Sequence, residues 1–125
     1  MKNKSRSLLI IDDNADMCYV LKEIFSAEGY ITQSATSGRE AVRLTQKNRF
    51  DIVLTDLIME GMDGVETIKK LKKVLPEALY FVMTAYRSDD RVKESRACGV
   101  LEVFEKPFDI AKVIKVLNTA VGKAH

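Results

Sequence analysis

Short apolar runs that alternate with amphipathic stretches constrain the fold of this chain more than any other feature. Five short apolar runs predict strands at Ser7–Ile11, Tyr30–Ser34, Asp51–Thr55, Ala78–Thr84 and Glu102–Glu105. The first, third and fourth are continuous runs of the Leu, Ile, Val and Phe type, as expected for strands covered on both faces. Strands that alternate with helices form β-α-β units, with a parallel sheet and helices on both of its faces. We therefore predict an α/β fold, a flavodoxin-like (βα)5 three-layer sandwich whose five parallel strands have the order 2-1-3-4-5.

The stretches between and after these runs carry apolar residues at the spacing of helices that pack on a sheet. Gly29 predicts the end of the first helix. We expect the other helices at Gly38–Lys47, Gly64–Leu75, Asp89–Cys98 and Asp109–Val121. In the fourth helix only Val92, Ala97 and Cys98 offer apolar contacts. A helix with so thin an apolar stripe is expected to pack weakly and to move easily.

Length and composition predict one ordinary domain over residues 1–125. With 46% hydrophobic and 30% charged residues the chain is not disordered, and a net charge of +2 is too small to indicate direct nucleic-acid contact. The two cysteines, Cys18 and Cys98, form no C-x-x-C pair, which fits a reducing, cytoplasmic location. The apolar run Ala78–Met83 is too short to span a membrane, and the N-terminal run stops at Asp12, too early for a signal peptide.

Charged and hydroxyl side chains follow the predicted strands at the edge where parallel sheets bind ligands. The first strand is followed by Asp12 and Asp13, the third by Asp56, the fourth ends at Thr84, and the fifth is followed by Lys106. Three converging carboxylates repel one another, so at least one pKa should rise unless cations intervene. Lys106 supplies one positive charge. The remaining positive charge could come from a metal ion. Carboxylate oxygens are hard ligands, which favour Mg²⁺, or Mn²⁺, over zinc.

These residues can support phosphoryl transfer, which depends mainly on alignment and charge neutralisation. A carboxylate can act as the nucleophile toward phosphorus, and Asp56 is the candidate because it stands at a central strand end. Lys106 and Thr84 would contact oxygens of the transferred group. The predicted metal ligands are Asp12, Asp13, Asp56 and the backbone carbonyl of Ile58.

Each of these residues also has a simpler explanation. Asp12, Asp13 or Asn14 could cap the first helix, Thr84 could be an ordinary strand residue, and Lys106 could belong to a turn. Only their convergence on one sheet edge indicates a site.

Other functions remain open on the same fold. A phosphatase of the haloacid dehalogenase type would need Asp-x-Asp where this chain has Asp56-Leu57-Ile58. A flavin or nucleotide site would need a phosphate loop rich in Gly or Ser after the first strand. A degenerate, phosphorylation-independent binding module is the third alternative.

Over essentially its whole length the chain resembles the receiver domain of two-component response regulators. The motifs that carry the resemblance are LLIIDD (Leu8–Asp13), DIVLTDLIMEGMDG (Asp51–Gly64), FVMTAY (Phe81–Tyr86) and FEKPF (Phe104–Phe108). The resemblance implies a signalling phosphoacceptor rather than an enzyme, one that only promotes its own phosphotransfer and autodephosphorylation. With Mg²⁺, Asp56 would accept the phosphoryl group from a phosphohistidine of a sensor kinase or phosphotransfer protein.

The resemblance also implies how the signal is passed on. Thr84 and Lys106, once bound to the phosphoryl group, would reshape the surface formed by the fourth helix, fifth strand and fifth helix. That surface would contact an output domain or effector protein, or form a homodimer. No direct contact with nucleic acid or membrane is expected.

Two positions depart from the family pattern. The family commonly carries an aromatic residue three positions before its lysine, where this chain has Val103; Phe104 comes one place later, on the opposite strand face, and is expected in the core. The family commonly carries proline where this chain has Glu60. We also expect the bulky Ile58 and Tyr86 to hinder an attacking water, so that phosphate is lost slowly.

Overall fold

The computed structural model describes residues 6–123 of the chain. The strands are β1 (Ser7–Ile11), β2 (Ile31–Ala35), β3 (Ile52–Asp56), β4 (Leu79–Thr84) and β5 (Glu102–Glu105). The helices are α1 (Ala15–Ala27), α2 (Gly38–Thr45), α3 (Gly64–Val74), α4 (Asp90–Ala97) and α5 (Ile110–Lys123). All strands pair in parallel in the order β2-β1-β3-β4-β5, so the predicted fold is confirmed.

The second strand begins one residue later than predicted because the Tyr30 N–H bonds back to the last turn of α1. Gly29 has a φ of +97°, as the glycine prediction required, and the Tyr30 N–H donates to the Phe25 carbonyl at 3.1 Å. The third strand also starts late. Asp51 stands outside it and its carboxylate accepts the Ser7 N–H at 2.9 Å. At its other end β3 includes Asp56, which pairs with Met83 of β4.

The sheet separates two apolar cores, and the central strands are buried on both faces as predicted. One core lies under α2, α3 and α4, and the other under α1 and α5. Val103 belongs to the first core, whereas Phe104 belongs to the second, where its ring stacks on Phe81 at 6.1 Å between centroids. The prediction that Phe104 is a core residue on the face opposite Val103 is therefore confirmed.

Helix α4 is thinly packed, but one of its predicted contacts was wrong. Val92 is buried and Cys98 packs at the edge of the core, whereas Ala97 is exposed. Ala97 is five residues beyond Val92, which turns its side chain toward solvent. Ser95 takes the inward position, three residues after Val92, and its hydroxyl donates to the Val92 carbonyl at 2.8 Å.

Within residues 6–123 no helix is both long and apolar enough to cross a membrane. Cys18 is buried and Cys98 is half-buried, and both are free thiols. Residues 1–5, on which part of the signal-peptide argument rests, lie outside the described residues.

Candidate functional site

The turn after β1 holds two acids in different environments. Asn14, not either aspartate, caps α1: its Oδ1 accepts the Met17 N–H at 3.1 Å. Asp12 is 1% exposed, and its Oδ1 accepts the Asn14 N–H at 2.9 Å. Asp13 is exposed, and its Oδ2 accepts a long bond of 3.4 Å from the Glu60 N–H. Neither aspartate is therefore the capping side chain of α1.

Asp56 occupies the last position of β3 and is 8% exposed. Its Oδ1 accepts the Ile58 N–H at 3.4 Å, and its Oδ2 lies 3.2 Å from Lys106 Nζ. The chain then turns into α3 close beneath it. A Cβ on Gly64 would lie 2.5 Å from the Asp56 carbonyl oxygen, and the Gly64 N–H donates to the Leu57 carbonyl at 2.7 Å. Only glycine fits this close approach, and the sequence pattern gave no sign of it beyond the predicted helix start at Gly64.

Lys106 joins the first, third and fifth strands through one ammonium group. Its Nζ lies 2.9 Å from Asp12 Oδ2 and 3.2 Å from Asp56 Oδ2, and its backbone N–H donates to the Thr84 carbonyl at 2.7 Å. Burial lowers the pKa of Lys106, but the bonds to Asp12 and Asp56 and their charges outweigh that effect and raise the pKa above its usual value. Lys106 is therefore a fixed positive charge within the site.

The pKa of Asp56 lies above its usual value, as expected for converging carboxylates, but repulsion is not the main cause. Burial contributes most, the charge of Lys106 opposes it, and the charge of Asp12 adds a further increase. In the metal-free protein the neighbours of Asp56 therefore offset only part of the cost of burying its negative charge. Added positive charge would stabilise the carboxylate.

Thr84 is the last residue of β4 and directly follows Met83, the residue that pairs with Asp56. Thr84 is fully buried. Its Oγ1 accepts the Tyr86 N–H at 3.0 Å. A hydroxyl that accepts one bond still has its proton to donate. Tyr86 is 63% exposed, whereas Ile58 is half-buried against the core.

The three acids could hold a metal ion. Ligand oxygens of Asp12, Asp13 and Asp56 all lie within 4.8 Å of one another, and no other such cluster of acids, histidines and cysteines occurs in residues 6–123. The donors are carboxylate oxygens, which suit Mg²⁺ or Mn²⁺. Cys18 is nearby, but burial raises the pKa of its thiol, which points at the Asp12 carbonyl at 3.2 Å. The donor set therefore fits the predicted hard cation.

The chain is similar to known signalling proteins. The response regulator receiver domain family matches residues 8–118. Over 109 residues the chain is 38% identical to sporulation initiation phosphotransferase F of Bacillus subtilis, covering 87% of this chain and 88% of that protein. Over 114 residues it is 36% identical to chemotaxis protein CheY of Thermotoga maritima, covering 90% of this chain and 95% of that one.

Longer relatives and solved structures agree. The chain is 32% identical over its full length to the transcriptional regulatory protein ZraR of Escherichia coli, but it spans only 28% of that protein. The receiver domain of Francisella response regulator 1452 superposes with a TM-score of 0.86 at 26% identity, covering 97% of this chain and all of that one. The chain belongs to the response regulator receiver domain family and is a phosphoacceptor signalling switch of a two-component system.

Proposed function

We propose that Asp56 is the phosphoacceptor. It would take the phosphoryl group from a phosphohistidine of a sensor histidine kinase or a phosphotransfer protein. A carboxylate oxygen of Asp56 forms the new bond to phosphorus, and the bond from phosphorus to the histidine nitrogen breaks. The observation that carries this proposal is the position of Asp56 at the central strand end, within reach of Lys106 and of two further acids.

Asp12, Asp13 and Asp56, with the backbone carbonyl of Ile58, would hold Mg²⁺, with Mn²⁺ as a substitute. The bound cation neutralises charge on the carboxylates and on the phosphoryl oxygens. Asp13 has one long hydrogen bond and is exposed, so it is available as a direct ligand. Each oxygen of Asp12 accepts one hydrogen bond, from the Asn14 N–H and from Lys106, and keeps a second lone pair that could face the cation.

Lys106 and Thr84 would bind the phosphoryl group once it is on Asp56. Lys106 already contacts one Asp56 oxygen, and the Thr84 hydroxyl retains a proton to donate. Thr84 ends β4 and Lys106 directly follows β5, so both lie next to the α4-β5-α5 face, defined by Asp90–Ala97, Glu102–Glu105 and Ile110–Lys123. Their movement would alter that face, which would contact an output domain or effector, or form a homodimer.

The domain would catalyse no reaction beyond its own phosphotransfer and autodephosphorylation. We further propose that residues 1–125 form a single receiver domain, cytoplasmic, with no direct contact to nucleic acid or membrane. The presence of all three acids, the lysine and the threonine supports a phosphoacceptor domain over a degenerate binding module. Metal titration separates the two, because a degenerate site would not bind Mg²⁺.

The test is phosphorylation by acetyl phosphate with Mg²⁺, followed by intact mass and peptide mapping. The parent should gain one phosphoryl group, and Asp56→Asn should gain none. Asp51→Asn is the matched control, since Asp51 is an exposed carboxylate at the opposite edge of the sheet. An Asp56→Asn protein that is modified as readily as the parent would refute the assignment.

A further inference from the structure

Helix α4 has few contacts that fix its position. Only Val92 and Ser95 are buried, and the Ser95 hydroxyl bonds within the helix, to the Val92 carbonyl. Its exposed residues are mainly charged. Arg91 forms its ion pair with Asp89, the residue that caps the helix itself. Among the described residues, the packing of α4 against the rest of the domain therefore rests on a narrow strip facing α3.

One side chain of α3 reaches the far end of this helix. The ammonium of Lys72 lies 5.3 Å above the centre of the Tyr80 ring, a cation–π contact with a tyrosine that is 1% exposed. The same Nζ lies 2.8 Å from the point that a Cβ on Gly99 would occupy. Gly99 follows Cys98, the C-cap residue of α4, and has a φ of +97°.

The position suits a cation. The last turn of a helix carries partial negative charge on its carbonyl groups, and Lys72 brings its ammonium to that end of α4. Gly99 provides the left-handed backbone at this end of α4, and its lack of a side chain leaves the space that the Lys72 ammonium occupies. Lys72 thus connects three elements through one charged group: its own helix α3, the ring of Tyr80 on β4, and the C-terminal end of α4.

The Lys72 contacts are present in the protein without a phosphoryl group on Asp56. Lys106 is paired with Asp56, and the Thr84 hydroxyl oxygen is held by the Tyr86 N–H. We propose that Lys72 is a positioning residue that holds the C-terminal end of α4 in its unphosphorylated place, an inference that rests on the proposed phosphorylation of Asp56. Because Lys72 stabilises one of two states, its removal should favour the other, and ligands of the other state should bind more tightly.

The variant Lys72→Met tests this by keeping an unbranched apolar stem over Tyr80 while removing the charge. Lys73→Met is the matched control, because Lys73 is the next residue of α3 and is exposed, so the net charge changes equally. Two quantities are measured: amide hydrogen exchange of α4 in the unphosphorylated protein, and the dissociation constant for beryllofluoride with saturating Mg²⁺.

We expect Lys72→Met to speed exchange in α4 by about three- to tenfold, the range that corresponds to an ordinary cation–π contact. We also expect it to tighten beryllofluoride binding, whereas a merely structural role would leave that affinity unchanged or weaken it. Lys73→Met should match the parent in both measurements. Exchange or affinity of Lys72→Met equal to the parent's would overturn the proposal. If beryllofluoride fails to bind even the parent, the phosphoacceptor assignment fails instead, and the exchange rates alone then decide whether Lys72 fixes α4.

Discussion

Lys106 Nζ lies 3.2 Å from Asp56 Oδ2, although the two residues are 50 positions apart in the chain. The lysine lowers the cost of a buried carboxylate, and under the proposed function it would also contact an oxygen of the phosphoryl group. Lys106→Met should therefore slow phosphorylation by acetyl phosphate by about a hundredfold, the effect of losing one charge-stabilising group at a reacting centre. Mg²⁺ affinity should not fall, because the variant removes a positive charge from the acid cluster. Lys112→Met, an exposed lysine of α5, is the control; a Lys106 variant with a parental rate would contradict the role.

The raised pKa of Asp56 predicts how stability depends on pH without metal. The folded protein holds the Asp56 proton more tightly than the unfolded chain, so the free energy of unfolding falls as pH rises from the unfolded pKa through the raised folded pKa. The Asp56→Asn variant has no carboxylate at this position, so its free energy of unfolding should not show this fall. With EDTA it should be more stable than the parent near pH 7, and the gap should close below about pH 3.5. Urea unfolding at both pH values measures this.

Mg²⁺ supplies the internal control for that comparison. If the cation binds as proposed, it should stabilise the folded parent by mass action and stabilise Asp56→Asn less, because one ligand is lost. A parent that is more stable than Asp56→Asn near pH 7 in EDTA would show that Lys106 compensates Asp56 fully.

Gly64 is expected to tolerate no side chain. A Cβ would lie 2.5 Å from the Asp56 carbonyl oxygen and 2.7 Å from the Leu57 Cα, and both neighbours are backbone atoms that cannot rotate away. Gly64→Ala should lower the free energy of unfolding by about 1–3 kcal/mol and weaken Mg²⁺ binding. Gly122→Ala is the counterpart: no atom lies within 4 Å of its Cβ position, so this α5 variant should gain up to about 1 kcal/mol. Equal stabilities of the two variants, from urea unfolding, would contradict the close approach.

The lifetime of the phosphorylated state should depend on the two bulky residues beside the site. Ile58→Asn and Tyr86→Asn should each speed dephosphorylation, together by about tenfold, which corresponds to about 1.4 kcal/mol of barrier. Ile58 is half-buried and Tyr86 is 63% exposed, so Ile58 should contribute more. Loss of phosphate is followed by intact mass after the phosphodonor is removed. Val74→Asn is the control at an exposed apolar residue of α3; if the Ile58 and Tyr86 variants lose phosphate at the parental rate, steric hindrance of water is not what sets the lifetime.

The architecture was predictable because strands covered on both faces are read directly from continuous apolar runs. β1, β3 and β4 are such strands, and parallel pairing then requires that their carboxyl ends meet. The convergence of Asp12, Asp13, Asp56, Thr84 and Lys106 follows from topology alone. The end of α1 was also predictable, because Gly29 adopts the positive φ that its place after the helix suggested.

The features that the sequence did not predict depend on how side chains pack in three dimensions. Three residues after β1 could have capped α1, and only the structure distinguishes Asn14 from its acidic neighbours. The inward residue of α4 is Ser95 rather than Ala97, because helix orientation outweighs side-chain hydrophobicity. The contact of Lys72 with the Tyr80 ring joins residues whose meeting no local pattern indicates.

Asp12 joins the two ends of the domain: one oxygen accepts the Asn14 N–H at the start of α1, and the other accepts the ammonium of Lys106, 94 positions later. The acids of the pocket thus gain the positive charge of Lys106 only when the last strand has been added to the sheet. A chain still being synthesised, or one cut before β5, would present its acids without their lysine. Because Lys106 is expected to speed phosphorylation, such a chain should accept a phosphoryl group more slowly than the complete domain.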